Sequence, residues 1–296
     1  MTGSGSAVFV GAARDCARWL PRVLDNLARL TRFYDRTAFV FAVSDTTDAT
    51  SCLLREWLDD GRQGKVLDLG HLLERLPLRT ERIAEARNAC LDEIRGSPWA
   101  EYDHLVVADL DDVLAEPLDV ESYRRAIAWL EGAPARAAVF ANAKPRYYDI
   151  WALRHDSWCP DDCWHRIWGR PDSQSFEAAK FREVFARQIE LPRHIAPIEV
   201  RSAFGGLGLY RMAFARDAEY GGTDGQGREV SEHVAFNESI GRAGGRLHIF
   251  PELQVQAPKQ HLYEASEFDL RWRTTMRLRE AMEYCRPAWR RLVARA

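Results

Sequence analysis

Three carboxylates stand together in Leu105-Val106-Val107-Ala108-Asp109-Leu110-Asp111-Asp112-Val113, directly after four apolar residues. A short Val-rich run of this kind reads as a buried parallel strand, and open α/β sheets hold their ligands at the carboxyl ends of such strands. Like charges gathered there are costly unless something offsets them. A hard divalent cation, Mn²⁺ or Mg²⁺, is the simplest offset, because oxygen ligands suit it, and it would neutralise a departing nucleoside diphosphate. Asp109 and Asp111 are the natural pair, Asp109 toward the ribose or sugar end of a donor and Asp111 toward the metal. Asp112 is either a second ligand or a surface residue, and the plain alternative for all three is a solvated loop capping the next helix.

Other residues carry chemistry that could meet that strand end. Arg82, Arg87 and Asn88 lie in an expected helix just upstream, where guanidinium forks suit phosphate and an amide suits ribose. Arg14 and Asp45 follow the first two expected strands and are placed beside a donor by topology alone. Tyr148, Asp149, Trp151 and Arg154 combine aromatic planes with charge, which suits the apolar face and hydroxyls of a sugar acceptor. Asp149 is also a reserve catalytic carboxylate. Gly206, in a glycine-rich stretch, could admit close backbone approach to the acceptor, and Asp224 in a second such stretch is a candidate acceptor contact. Of the six cysteines only Cys159 and Cys163 are close, with His165 beside them; zinc, a local disulfide and free thiols are the three readings.

The elements that must position these groups alternate through the first half. Strands are expected over residues 7–11, 38–43, 65–68 and 105–108, with helices over 16–30 (Asp15 as its cap), 49–58 and 80–94. Strand–helix alternation means a βα-wound, mostly parallel sheet. A helix over 120–130 and a buried strand over 137–142 follow. Beyond them the pattern turns aromatic, polar and glycine-rich, with helical pieces near 176–186 and 231–243 and short strands on either side of Pro251. A long basic helix over 269–294 ends the chain; it either packs on the domain or rests on an anionic membrane surface.

The 296 residues allow one large domain with an appendage, and 46% apolar with 29% charged residues is an ordinary globular balance. A net charge of −3 gives no whole-surface nucleic-acid binder. No leader is recognised in the first residues and no apolar run nears the roughly 20 residues of a membrane span, so the expected location is cytoplasmic, with peripheral contact at the inner membrane face through the basic helix. The Ala- and Arg-heavy usage is that of a high-GC bacterium.

Four stretches in this order carry a resemblance: Arg82-Ile83-Ala84-Glu85-Ala86-Arg87-Asn88, then Asp109 to Val113, then Tyr147-Tyr148-Asp149-Ile150-Trp151-Ala152-Leu153-Arg154, then Ser231-Glu232-His233-Val234-Ala235-Phe236-Asn237. Their arrangement resembles the GT-A nucleotide-sugar glycosyltransferases, and within them the fungal capsule-associated α-mannosyltransferases and bacterial relatives. The resemblance covers roughly residues 6–262; the fungal members have Asn-Asp-Val where this chain has Asp-Asp-Val. It implies a GT-A, Rossmann-like α/β fold, with a catalytic domain over 1–262, a nucleotide-sugar half over 6–142, an acceptor half over 143–262 and a helical extension over 263–296.

It also implies a metal-dependent transfer of a hexose in glycan or polysaccharide biosynthesis. The donor would be GDP-mannose first and a UDP-sugar second, and the acceptor a glycan or lipid-linked hydroxyl. Glu232 becomes the expected catalytic carboxylate, His233 an acceptor contact, and His261 a late metal ligand joining Asp109 and Asp111. Two other readings remain open. One is a haloacid-dehalogenase-like phosphohydrolase with Asp109 as nucleophile and Asp111 as general acid. The other is a sugar-binding module that has lost catalysis.

Overall fold

The structure, a computed structural model, describes residues 5–263, so the expected C-terminal basic helix and Cys285 lie outside the described residues. Every strand expected in the first half forms. The elements are β1 (Ser6–Ala13), α1 (Leu20–Thr31), β2 (Arg36–Val43), α2 (Thr50–Asp59), β3 (Gly64–Asp68), α3 (Leu72–Arg75), α4 (Arg79–Arg95), β4 (His104–Ala108), α5 (Val120–Glu131) and β5 (Arg136–Lys144). Then come α6 (Cys163–Trp168), α7 (Phe176–Glu183), β6 (Ile198–Val200), β7 (Leu207–Arg211), α8 (Met212–Ala215), α9 (Glu232–Arg242) and β8 (Arg246–Gln256).

The eight strands make one sheet in the order β3-β2-β1-β4-β7-β5-β8-β6. β1, β2, β3 and β4 run parallel, so their carboxyl ends share one edge. β7 enters antiparallel between β4 and β5, and β8 rejoins β5 in parallel. The period-2 alternation of a strand sends Val8 and Val10 to one face and Ala7 and Phe9 to the other. One face packs on α4 and α9 through Ala84, Cys90, Leu91, Phe236 and Ile240, the other on α1 and α5 through Leu20, Leu27, Tyr123 and Leu130. Each fully buried large apolar side chain contributes about 1.5–3 kcal/mol of transfer energy.

Several local expectations need correction. Asp15 does not cap α1, which starts five residues later, at Leu20, with Pro21 in its first turn. Asp15 instead adopts a left-handed φ of 49°, which Asp tolerates, and its Oδ1 accepts from Thr47 N at 2.7 Å. The glycine-rich run that holds Gly206 leads straight into β7. Gly206 (φ 92°) makes that entry possible, because a Cβ there would meet Val113 Cγ1 at 2.3 Å, and its carbonyl accepts from Asp109 N at 2.9 Å. The two short strands expected around Pro251 are one strand, β8, whose pairing with β5 shifts register between Ala141 and Asn142. Cys159 and Cys163 are both buried free thiols.

Candidate active site

A cleft of about 610 Å³ opens at the carboxyl ends of the parallel strands. Its position follows from topology: β1, β2 and β4 end there, and α4 and α9 lean over from one face. The loops after β1 and β2 are latched to each other. Asp15 N donates to Thr46 Oγ1 (2.9 Å), Ala17 N to Asp48 Oδ2 (3.0 Å) and Cys16 N to Thr50 Oγ1 (2.9 Å). This latch fixes Arg14 and Asp45 on the wall; Asp45, at φ 52°, accepts from Leu73 N through Oδ1 and buries Oδ2 without a partner.

The inner wall is organised by Arg87, which α4 delivers almost fully buried. Its Nη2 donates to Asp109 Oδ1 at 3.0 Å and its Nε to Glu232 Oε1 at 3.1 Å, so one guanidinium ties α4 to the end of β4 and the start of α9. Phe204 and Tyr220 face the same guanidinium at 5.1 and 5.7 Å. Burial pulls the Arg87 pKa down, but Glu232 and Asp109 more than reverse it, and the group stays charged. Asp109 is pushed up to about 7: burial raises it, Arg87 pulls it back, and Asp111, Glu232 and Asp149 repel it. His233 is stacked on Phe204 at 3.8 Å, and burial followed by the Arg87 charge holds its pKa far below the usual imidazole value.

The outer mouth differs. Asp111 is exposed there, yet crowding by protein atoms and by Asp112 raises its pKa, while its bond from Val113 N, His261 and Arg79 oppose the rise. His261 is exposed and its ring stacks on Tyr148 at 5.8 Å with 16° between planes. Asp112 is not among the residues lining the cleft; its Oδ2 accepts weakly from Gln260 Nε2 at 3.4 Å. Arg14, Arg79 and Lys180 line the cleft with no carboxylate within ion-pair distance among the described residues.

The cleft thus gathers Arg14, Asp45, Arg82, Arg87, Asp109, Asp111, Tyr148, Asp149, Trp151, Glu232, His233 and His261. Four expected residues stand elsewhere. Asn88 clamps the Tyr220 backbone, its Nδ2 donating to the carbonyl at 3.0 Å and its Oδ1 accepting from N at 2.9 Å. Arg154 is spent on a buried pair with Asp162 at 2.6 Å. Gly206 shapes the entry to β7, and Asp224 closes a turn with Arg228 (2.8 Å). Two others are partly committed. Arg82 Nη1 donates to the carbonyls of Leu76 and Pro77, each at 2.7 Å, and both Asp149 oxygens accept backbone N–H groups, from Gly205 at 3.0 Å and Ala152 at 3.4 Å. The expected site did not include Arg79, Lys180, Gln188 or Phe204, and Trp164 stood only within the aromatic stretch that follows Trp151. The interleaved aromatics of 164–176 were a visible signal; nothing marked Lys180 or Gln188, because long-range packing alone brings them to the cleft.

The three expected metal residues share the cleft without forming a cage. Among the described residues no group of three His, Cys, Asp or Glu side chains is close enough to hold an ion. The donor set fits an ion completed by a ligand's own oxygens, since such ions take one or two carboxylates plus substrate phosphates, and imidazole suits Mn²⁺.

No family model matches the chain, and no curated protein does. Solved structures do match in fold. The mannosyltransferase PcManGT from Pyrobaculum calidifontis, in complex with GDP-Man and Mn²⁺, superposes with a TM-score of 0.51 at 14% identity, over 87% of this chain and 60% of that one. S. aureus TarS in complex with UDP-GlcNAc gives 0.50 at 14% identity, over 89% and 61%. The fold is GT-A. At that identity the likeness is one of architecture, and this chain spans about 60% of the length of the structures it resembles. Among the described residues no helix is long and apolar enough to cross a membrane.

Proposed function

We propose that this protein is a metal-assisted glycosyltransferase that moves a hexose, with mannose the first choice, from a nucleoside-diphosphate sugar to a hydroxyl acceptor. The observation that supports it most is the division of one GT-A cleft into a mouth, where Asp111 sits among cations that make no ion pair among the described residues, and an inner wall, where Arg87 holds Asp109 and Glu232. In this reading residues 6–142 hold the donor, residues 143–262 hold the acceptor, and residues 263–296 are an appendage. A soluble enzyme meeting its acceptor at a membrane surface fits that division, and polysaccharide biosynthesis of the capsule-associated mannosyltransferase kind is the assignment.

The roles follow from the chemistry of each group. Asp111 and His261, with the free oxygen of Asp109, would hold Mn²⁺ or Mg²⁺. When bound, the ion supplies charge neutralisation to the departing diphosphate. Arg14, Arg79 and Arg82 face the diphosphate, where guanidinium donors match phosphate oxygens. Asp45 offers its unpaired oxygen to the donor's base or ribose. Glu232 Oε1 is held by Arg87, while its other oxygen has no protein partner among the described residues and is open to an acceptor hydroxyl proton. Arg87 fixes the orientation of the Glu232 carboxylate through its Nε bond to Oε1, and a positioned carboxylate is what general-base proton transfer requires. Asp149 is the weaker candidate, because both its oxygens are engaged by backbone. Tyr148 orders His261, and Trp151 presents a buried indole N–H with no partner among the described residues to the acceptor space.

The phosphohydrolase alternative fits less well: its nucleophilic strand opens its domain, whereas β4 enters here as the fourth strand of a GT-A sheet. The test is incubation with GDP-mannose, UDP-glucose and UDP-GlcNAc, with and without Mn²⁺, reading donor hydrolysis and thermal shift. Metal-dependent stabilisation and turnover of one donor is expected. Indifference to every donor, together with cleavage of a generic phosphate ester that Asp109→Asn abolishes, would return the phosphohydrolase reading; metal-free glycan binding without turnover would return the binding module.

A further inference from the structure

A row of indole rings leads out of the cleft. Trp151 and Trp164 line it, with ring centroids 6.2 Å apart. Trp164 and Trp168, four residues apart on α6, stack on one helix face at 6.2 Å with 24° between planes, and Phe176 of α7 flanks Trp168 at 5.2 Å. Trp168 is 66% exposed, the most open large apolar side chain among the described residues. An exposed indole forfeits a large burial energy, and exposed apolar surface continuous with a cleft marks a contact site.

The row is held rigidly. A six-residue helix has no stability of its own. Here Asp162 caps α6 by accepting from Trp164 N at 2.9 Å and His165 N at 3.1 Å, and the same carboxylate is locked in the buried pair with Arg154. Cys163 and Ile167, both fully buried, pin the neighbouring face of the helix. Polar groups border the rings: Lys180 Nζ lies 6.0 Å from the Trp164 centroid, Arg170 lies 5.6 Å from Phe176, and Trp151 Nε1 is buried at the inner end with no partner among the described residues. Flat apolar faces edged by hydrogen-bond donors match a pyranose chain, which offers C–H faces and equatorial hydroxyls. A polyprenyl chain would meet two cation heads along the same track.

We propose that Trp151, Trp164 and Trp168 form an outer saccharide subsite, so that the acceptor is an oligosaccharide chain bound over several sugar units rather than a small hydroxylated metabolite. This rests on the glycosyltransferase reading of the cleft. The test uses the full chain and isothermal titration with linear manno-, gluco- and N-acetylglucosamine oligosaccharides of one to six units, and with polyprenyl phosphate in phosphatidylcholine vesicles. The variants are Trp168→Ala and the conservative Trp168→Phe.

For at least one chain type, affinity should rise about tenfold or more with length, and Trp168→Ala should remove that gain while Trp168→Phe keeps most of it. Single-unit affinity and the thermal shift given by Mn²⁺ with nucleotide should not change. Length-independent binding, no Trp168-dependent binding by any chain, or a Trp168→Ala loss confined to polyprenyl phosphate would each overturn the proposal. Chain binding that survives where no nucleotide binds would sink the transferase reading and leave the subsite standing.

Discussion

The inner wall and the outer mouth of the cleft are both densely charged, but they are satisfied in different ways. On the wall, Arg87, Asp109 and Glu232 answer one another inside the protein, at 3.0 and 3.1 Å. At the mouth, Asp111 crowds Asp112 with only distant relief from Arg79, and Arg14, Arg79 and Lys180 make no close ion pair among the described residues. Charge that the chain neutralises itself serves structure and sets protonation; charge left uncompensated around an opening is set for a ligand of mixed character, such as a metal with a diphosphate.

The strongest way to break this contrast is Arg87→Met. It leaves buried Glu232 and half-buried Asp109 without the guanidinium between them, and loss of one partner of a buried ion pair costs about 3–5 kcal/mol. Thermal unfolding should move down by roughly 10 °C, with activity lost as well. An unchanged melting temperature would mean that the wall is not held by this guanidinium. Glu232→Gln comes next: an amide oxygen still accepts from Arg87 Nε, so the fold stands, while turnover should drop about 10²–10⁴-fold as proton transfer is lost and donor affinity persists. If donor binding fell instead, Glu232 would belong to the donor side.

Asp111→Asn should do the reverse of Arg87→Met. Ligand-free stability should hold or rise slightly, because like-charge repulsion is relieved, whereas the thermal shift from Mn²⁺ with nucleotide should vanish. The pH dependence separates the two regions further. Between pH 3.8 and about 7 folded Asp109 keeps a proton that the unfolded chain has released, so ligand-free stability falls as pH climbs through that window. His233 works the other way: its unfolded imidazole charges below pH 6.5 while the buried ring stays neutral, so stability also falls as pH drops below 6.5. Chemical denaturation across this range should show Asp109→Asn flattening the first slope and His233→Gln flattening the second. The smallest effect belongs to Asp224→Ala, which should leave donor and acceptor KM unchanged, since Asp224 only closes its turn with Arg228.

What could be read without coordinates follows the same division. Strands with unbroken apolar runs, such as residues 38–43 and 105–108, announced themselves, and with them the cleft at their carboxyl ends. β7 did not: Gly208, close behind Gly205 and Gly206, makes the stretch look like a loop, and only pairing with β4 and β5 makes Leu207–Arg211 a central strand. Arg87, Asp109 and Glu232 were each visible as chemistry, but their meeting over 145 positions in sequence is a property of packing. Asn88 and Arg154 carried the right groups in the right stretches and went to the backbone of Tyr220 and to Asp162 instead. Residue type and spacing reveal what a side chain can do; its nearest partner in the fold decides whether that capacity is already spent.

Isothermal titration of GDP and UDP against the wild type and Asp111→Asn, with and without Mn²⁺, tests the division most directly. Binding of one nucleotide that requires the metal and disappears in Asp111→Asn is the expected result. Equal binding without metal, or equal binding by the variant, would contradict a mouth built to receive a cation and a diphosphate together.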